Sequence, residues 1–327
     1  MNSLDDIPPY LQSLFETAGP IIQFRILRDL LDQDESWIRT ADRDRELNKH
    51  SKIVELMNAR ANNGTWNGLL IGSNAEEFRQ STAFSLLRLC EWGREQHPII
   101  PQTIEKVLLP TLTRDDFIWE FAAIARSDSE KQLARRLVRD SVLYIICRST
   151  QVPNDLIQAQ LEILLTEWEA FAASESELPP ALPGYAAVCW YPWDDDNFPR
   201  VRDIAVKLFE KLEEMLGRDL ECPVWFEPHR LKLFHKEIYL SFPSLHLFQL
   251  ELTARLGITS SLPFSAWLLE ELEFRQDADG LFRFEHNELA PEPIGYYFPL
   301  EAKNEAQYPL EYSFRAHLIF KLLGYDF

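Results

Sequence analysis

Within eight residues, Trp190-Tyr191-Pro192-Trp193-Asp194-Asp195-Asp196-Asn197 puts three aromatic rings beside three acids. Adjacent carboxylates in a poorly solvated site cannot all ionise, so one keeps its proton at neutral pH and can act as a general acid. Trp190, Tyr191 and Trp193 would then stabilise cationic intermediates through their ring faces. A second role suits the same residues. Asp196 or Asn197 can cap a helix starting near Phe198-Pro199, where negative charge complements the helix dipole. Proton donation requires at least one desolvated Asp, whereas capping leaves all three in solvent.

Fewer side chains elsewhere suggest chemistry. His246 with Gln249, and Arg79 with Gln80, are polar residues in otherwise apolar helical stretches and are candidates to face a cavity. Glu311, Tyr312, Arg315 and His317 fall within two helical turns, with Glu311 and Arg315 at the spacing of an exposed ion pair. His246 and Tyr312 therefore join the three aromatics as candidate substrate contacts. The seven histidines, His50, His97, His229, His235, His246, His286 and His317, form no compact ligand pattern, so no metal site is expected. No glycine-rich phosphate loop, nucleophile elbow or metalloprotease motif is present.

Amphipathic helices must position these groups. Apolar residues recur at three- and four-residue spacing over 21–31, 52–61, 130–147, 154–172, 201–216 and 265–274, with stops at Gly or Pro. Strand patterns are scarce, and 230–240 is the most ambiguous stretch. Three segments echo one another: 78–93 (FRQSTAFSLLRLCEWG), 242–257 (FPSLHLFQLELTARLG) and 308–324 (YPLEYSFRAHLIFKLLG). Each opens on an aromatic and closes with an apolar residue before a helix-ending Gly. Three such units predict stacked helical hairpins, and this length accommodates about six or seven of them. The reading is one all-α domain over 1–327, with a proline-bearing loop at 175–183 between halves and no Gly/Ser-rich linker. A closed ring and an open solenoid both fit.

Two turns share a further template: Arg60-Ala61-Asn62-Asn63-Gly64-Thr65-Trp66 and Gln276-Asp277-Ala278-Asp279-Gly280-Leu281-Phe282, each a long polar residue followed by Gly-x-aromatic after a helix. The pattern resembles the degenerate QW-type repeat of the terpenoid cyclase and protein prenyltransferase superfamily, in an uncharacterised bacterial branch. The resemblance implies an (α/α)6-type toroid of helical hairpins around a central cavity. It also implies that Gln276 and Phe282, with Arg60 and Trp66, brace the outer turns. In the prenyltransferases an Asp-Gly-Cys-Tyr-type segment supplies a zinc thiolate; here Leu281 stands at that place and cannot bind Zn²⁺. The class II cyclases use Asp-x-Asp-Asp, which Asp194-Asp195-Asp196-Asn197 matches at three of four positions, making Asp196 the expected proton donor. The class I Asp-Asp-x-x-Asp metal motif is not completed.

What the resemblance implies is acid-initiated carbocation cyclisation of an isoprenoid or other long apolar substrate. Two alternatives accompany it. One is a carbohydrate-active toroid, hydrolase or lyase, using Asp196 with Glu251 or Glu311. The other is a non-catalytic scaffold for a hydrophobic ligand or a protein.

Charge narrows the partners. The net charge of -19, from 52 acidic and 33 basic residues, opposes attraction to nucleic acid or anionic lipid. A diphosphate substrate would need a local cationic site or Mg²⁺ against that overall field, and no other cofactor is implied. Cys90, Cys147, Cys189 and Cys222 form no Cys-x-x-Cys pair and no secretory pattern is read at the N-terminus, so a reducing, cytoplasmic setting is expected. No integral membrane segment is expected: the apolar run 142–147 is far shorter than the ~20 residues a span requires.

Overall fold

The protein was analysed as a computed structural model. It describes residues 7–34, 38, 43–114, 117–121, 127–150, 154–175, 179–215, 222–223, 230–231, 239, 242–284, 300–302 and 305–325. His229, His235 and His286, and most of the ambiguous stretch 230–240, lie outside them.

The architecture is all-α, as expected. In chain order the helices are α1 (Pro9–Thr17), α2 (Pro20–Arg25, continued by a π-turn at Ile26–Leu30), α3 (Arg43–Lys49), α4 (Ser51–Asn58), α5 (Ala75–Arg79), α6 (Thr82–Glu91) and α7 (Ile99–Thr103). Then follow α8 (Asp128–Ser149), α9 (Asp155–Ala172), α10 (Leu182–Trp190), α11 (Phe198–Glu214), α12 (Pro243–Arg255), α13 (Pro263–Glu273) and α14 (Tyr308–Leu322). Among the described residues, β pairing is limited to an antiparallel two-residue ladder, Cys222–Pro223 with Arg230–Leu231, and three isolated bridges.

Local chemistry explains the helix starts. Ser127 and Glu130 form a reciprocal capping box at α8, and the side chains of Asn74, Ser81 and Asn154 accept first-turn N–H groups of α5, α6 and α9. In α10 to α14 a proline occupies the first turn, where its missing N–H costs no helical hydrogen bond.

Two kinds of helix result. Every residue of α10 is buried, as are all but one of α6 and α12's 243–248 and 250–254. A helix apolar on all sides needs neighbours on all sides. By contrast α11 buries one stripe, Val201, Ile204, Ala205, Leu208, Phe209 and Leu212, against α9 and leaves charged residues in solvent. Each large aliphatic in that stripe contributes about 2 kcal/mol on burial, so Ile204→Asp is the single change expected to detach α11. These buried helices and the buried parts of α8 and α14 pack in succession: α6 on α8, α8 on α10, α10 on α12, α12 on α14, and α14 on the π-turn that follows α2. The first helix also packs on the last, α1 on α14.

The two template turns have one geometry. Positions one and seven form an isolated bridge in both, Arg60 with Trp66 and Gln276 with Phe282. The second residue's N–H donates to the sixth residue's carbonyl, Ala61 to Thr65 and Asp277 to Leu281, each at 2.9 Å. The fifth residue is Gly in the left-handed region, φ +92° at Gly64 and +78° at Gly280, which a side chain would disfavour. Both aromatics are buried, and the backbone N–H of each donates to a hydroxyl of an all-round-buried helix: Trp66 to Thr82 Oγ1 at 3.1 Å, Phe282 to Ser313 Oγ at 2.8 Å. The polar residues diverge. Arg60 Nε reaches Thr103 Oγ1 at 3.0 Å across to α7, whereas the Gln276 amide turns back to Gly280 O at 3.3 Å and braces no neighbouring helix.

Candidate functional site

The acids singled out by the sequence do not enter a pocket. Asp194, Asp195 and Asp196 are exposed in the turn before α11. Capping falls to Asp194 rather than to Asp196 or Asn197: its carboxylate accepts the Asn197 N–H at 2.8 Å and Asn197 Nδ2 at 3.0 Å, and the Asn197 side chain makes no cap bond. Those hydrogen bonds pull the Asp194 carboxyl below its usual range, opposite to what a proton donor needs.

Nor do the five candidate substrate contacts form one site. Tyr191 and Trp193 pack edge-to-face 4.7 Å apart beside the Asp turn, with Trp193 Nε1 donating to Val188 O at 2.9 Å. His246 and Tyr312 meet elsewhere, each edge-to-face on Phe284. His246 is fully buried; Nε2 donates to Leu268 O at 2.8 Å, tying α12 to α13, and burial pushes its pKa down to about 3. It is a core histidine locked in its neutral form.

Other sequence expectations also change. Glu311 and Arg315 are buried rather than exposed, and they pair elsewhere. Glu311 accepts the N–H groups of Glu301 and Ala302 at 2.9 and 2.7 Å, while Arg315 reaches Glu91. Arg79 and Gln80 lie in solvent, not on a cavity.

Trp190 alone leads to a site. It ends α10 on the wall of a cavity of about 700 Å³ whose other walls come from the C-terminal ends of α2 and its π-turn, α8, α12 and α14, and the segment after α6. Arg25, Arg28, Arg148, Arg255 and Lys321 line it, opposed by Asp29, Asp32 and Glu95. Cations suit helix C-termini, where backbone carbonyls point outward. The guanidinium carbons of Arg148 and Arg255 lie 4.2 and 3.2 Å from the Trp190 ring centroid.

Glu91, at the end of α6, is the hub beneath the cavity. Its Oε2 accepts from Arg315 Nη2 at 2.7 Å and Arg25 Nη1 at 3.4 Å, and Oε1 lies 3.6 Å from Arg148 Nη2. Glu95 joins Arg28 at 2.7 Å to Arg148 at 3.1 Å, and Asp29 joins Arg25 at 2.7 Å to Arg28. Burial alone would raise these carboxyl pKa values. The guanidiniums outweigh it, holding Glu91 at about 2 and Glu95 and Asp29 below their usual range. Burial lowers Arg88, over the Trp92 ring, to about 10, which still leaves it charged at neutral pH.

The chemical consequence is specific. Glu91, Glu95 and Asp29 remain ionised at neutral pH, so none of them is a general acid. The cavity can instead attract, orient and neutralise negative charge. Two nitrogens on its wall residues, Trp190 Nε1 and Arg148 Nε, are buried without a hydrogen-bond partner in the protein; their residues are only 9% and 4% exposed. A buried orphan donor marks a place where an acceptor is missing. Among the described residues, no group of three or more His, Cys, Asp or Glu side chains is placed to hold a metal ion, and no helix is long and apolar enough to cross a membrane.

Comparison with protein-family models, with curated proteins and with solved structures returns no match.

The charged cavity was missed by motif reading, although a signal existed. In two of the three echoing segments a charge stands two residues before the terminal Gly, Glu91 before Gly93 and Arg255 before Gly257, and in the third Lys321 stands three before Gly324. Charges at equivalent ends of otherwise apolar helices are the pattern that would have pointed to it.

Proposed function

We propose that the chain is an (α/α)-toroid whose functional centre is this cavity, and that the cavity binds a small organic anion. The ring reading is supported by the succession of buried helices from α6 to α14, by α14 packing on the π-turn, and by the Arg25 to Glu91 contact that links α2 back to α6. One observation carries the anion reading: in a chain of net charge -19, five cationic side chains from four helical segments converge on one cavity and outnumber its three lining acids. A low-dielectric pocket concentrates such a field on whatever enters it.

An isoprenoid is less well suited. Trp190, Leu318 and Leu322 are the only apolar residues among the thirteen that line the cavity, whereas a long hydrocarbon requires a mostly apolar wall. Proton-initiated cyclisation at Asp196 has no support from an exposed turn.

Both parts are testable. Thermal unfolding should shift upward with an organic anion such as citrate or glucose 6-phosphate and stay unchanged with a neutral sugar, because a ligand that binds only the native state stabilises it. No shift with any anion would remove the binding reading. Truncation of residues 1–31 separates ring from solenoid. A closed ring loses cooperativity throughout, whereas an open stack loses only its terminal unit.

A further inference from the structure

The cavity's cations are unequally committed. Arg25 is shared between Asp29 and Glu91, and Arg28 between Asp29 and Glu95. Arg255, by contrast, meets a single oxygen, Glu251 Oε1, through Nε at 3.0 Å and Nη2 at 2.7 Å. Lys321 donates to the Asp29 carbonyl at 2.9 Å and to Asp32 at 2.6 Å, but its one carboxylate partner, Asp32, is 79% exposed, where water and salt weaken the pair. Arg255 and Lys321 therefore hold the charge most readily turned toward a ligand. Arg148 and Arg255 lie over one indole ring, so their guanidinium carbons are no further apart than the sum of their two distances to its centroid.

Geometry and charge select the group. A planar carboxylate is satisfied by a single guanidinium fork, whereas a tetrahedral phosphoryl group accepts hydrogen bonds from several directions at once. The donors here come from α8, α10, α12 and α14. Cations outnumber acids among the lining residues, which favours a group of high negative charge such as a phosphomonoester, about -1.5 to -2 at neutral pH. A cavity of about 700 Å³ lies within the usual size range of small-molecule sites, larger than a bare phosphate needs. The polar lining selects a polar remainder.

Resting on the anion-binding reading, we infer that the ligand is a phosphomonoester of a small polar metabolite, its phosphoryl group held by Arg255 and Lys321 beside Trp190. Isothermal titration calorimetry tests this with glucose 6-phosphate, ribose 5-phosphate, 3-phosphoglycerate, inorganic phosphate, citrate, glucose and geranyl diphosphate. At least one phosphomonoester is expected to bind at least tenfold more tightly than inorganic phosphate, citrate and geranyl diphosphate, with no binding of glucose. Its affinity should fall about tenfold from pH 7 to pH 5 as the phosphoryl group takes up a proton with pKa near 6. Lys321→Gln, at a partly exposed position that leaves the core intact, should weaken binding at least tenfold with an unchanged urea midpoint; Arg255→Gln should weaken it at least as much, with a lower urea midpoint because buried Glu251 loses its Arg255 ion pair. Citrate binding without phosphomonoester binding overturns this inference and leaves the anion site standing. Geranyl diphosphate or inorganic phosphate binding as tightly as the best phosphomonoester overturns the polar-metabolite class. An unchanged affinity in both variants overturns the assignment of residues, and no binding by any anion overturns both readings.

Discussion

Glu91 at the end of α6 accepts a 2.7 Å hydrogen bond from Arg315 on α14, a residue 224 positions away in the chain. The same carboxylate oxygen reaches Arg25 of α2, so one buried acid joins an early, a middle and a late part of the sequence. Through Glu91 the contact is joined to two of the arginines that line the cavity, Arg25 and Arg148.

Glu91→Gln should destabilise the fold by about 3–5 kcal/mol, because it leaves Arg25, Arg148 and Arg315 short of a buried counter-charge. Urea denaturation read by both circular dichroism and tryptophan fluorescence measures the loss. The paired replacement Glu91→Met with Arg315→Met should recover part of it, since Arg315 is removed and Arg25 and Arg148 keep Asp29 and Glu95. If the double variant is worse than the sum of its singles, the pair is not coupled as described.

Acid should weaken the protein in two stages, the upper one partly offset by Asp140, whose carboxyl pKa is raised by burial to about 6 and which therefore adds stability as pH falls through 6. His246 has a folded pKa of about 3 against an ordinary value of 6.5, so below 6.5 the unfolded chain takes up a proton that the folded one refuses. Its contribution is complete above pH 6.5 and is lost as pH falls toward 3, at up to about 1.4 kcal/mol per pH unit. Glu91, held at about 2 against an ordinary 4.5, contributes fully above pH 4.5 and loses that contribution as pH falls through 2. His246→Asn should flatten the upper stage of a stability-versus-pH curve and leave the lower stage in place.

Gly64→Ala and Gly280→Ala should both destabilise, by about 1 kcal/mol or more, because both glycines occupy the left-handed region. The first should cost more. A Cβ on Gly64 would lie 3.2 Å from Arg60 Nη2 and 3.3 Å from Val107 Cγ2, whereas one on Gly280 meets only Gln276 Nε2 at 3.9 Å. Thermal melts of the two variants provide the ranking.

Asp195→Asn and Asp196→Asn should leave stability and anion affinity unchanged, since both side chains lie in the exposed turn. Asp194→Ala should lower the melting temperature slightly by releasing Asn197 from its cap. Loss of ligand binding or of an identified activity in Asp196→Asn would return that turn to the centre of the function.

The helices were legible because their signal is local. Each of the six predicted stretches is found within three residues of its observed ends, from the 130–147 pattern realised as Asp128–Ser149 to the 201–216 pattern realised as Phe198–Glu214. The echo of Arg60–Trp66 in Gln276–Phe282 was likewise real, since Gly at the fifth position and a buried aromatic at the seventh impose the same turn wherever they occur. The site was not legible in the same way. Asp194 to Asp196 attracted attention as a run of acids, but a run says nothing about desolvation, and the turn before α11 faces water.

By itself, the sequence determined helix positions, the geometry of the two Gly-x-aromatic turns, the lack of a thiolate side chain at Leu281, and the net charge of -19. These follow from interactions among residues a few positions apart, or from a sum over the chain. Only the tertiary structure decided that Arg25, Glu91, Arg148, Arg255, Arg315 and Lys321 meet. They stand on five helical segments, Arg315 and Lys321 both on α14, and most lie near a helix end, where a lone charge reads as an ordinary helix terminus. Their meaning arises when packing removes them from water together, because only there does each charge depend on its neighbours to remain ionised.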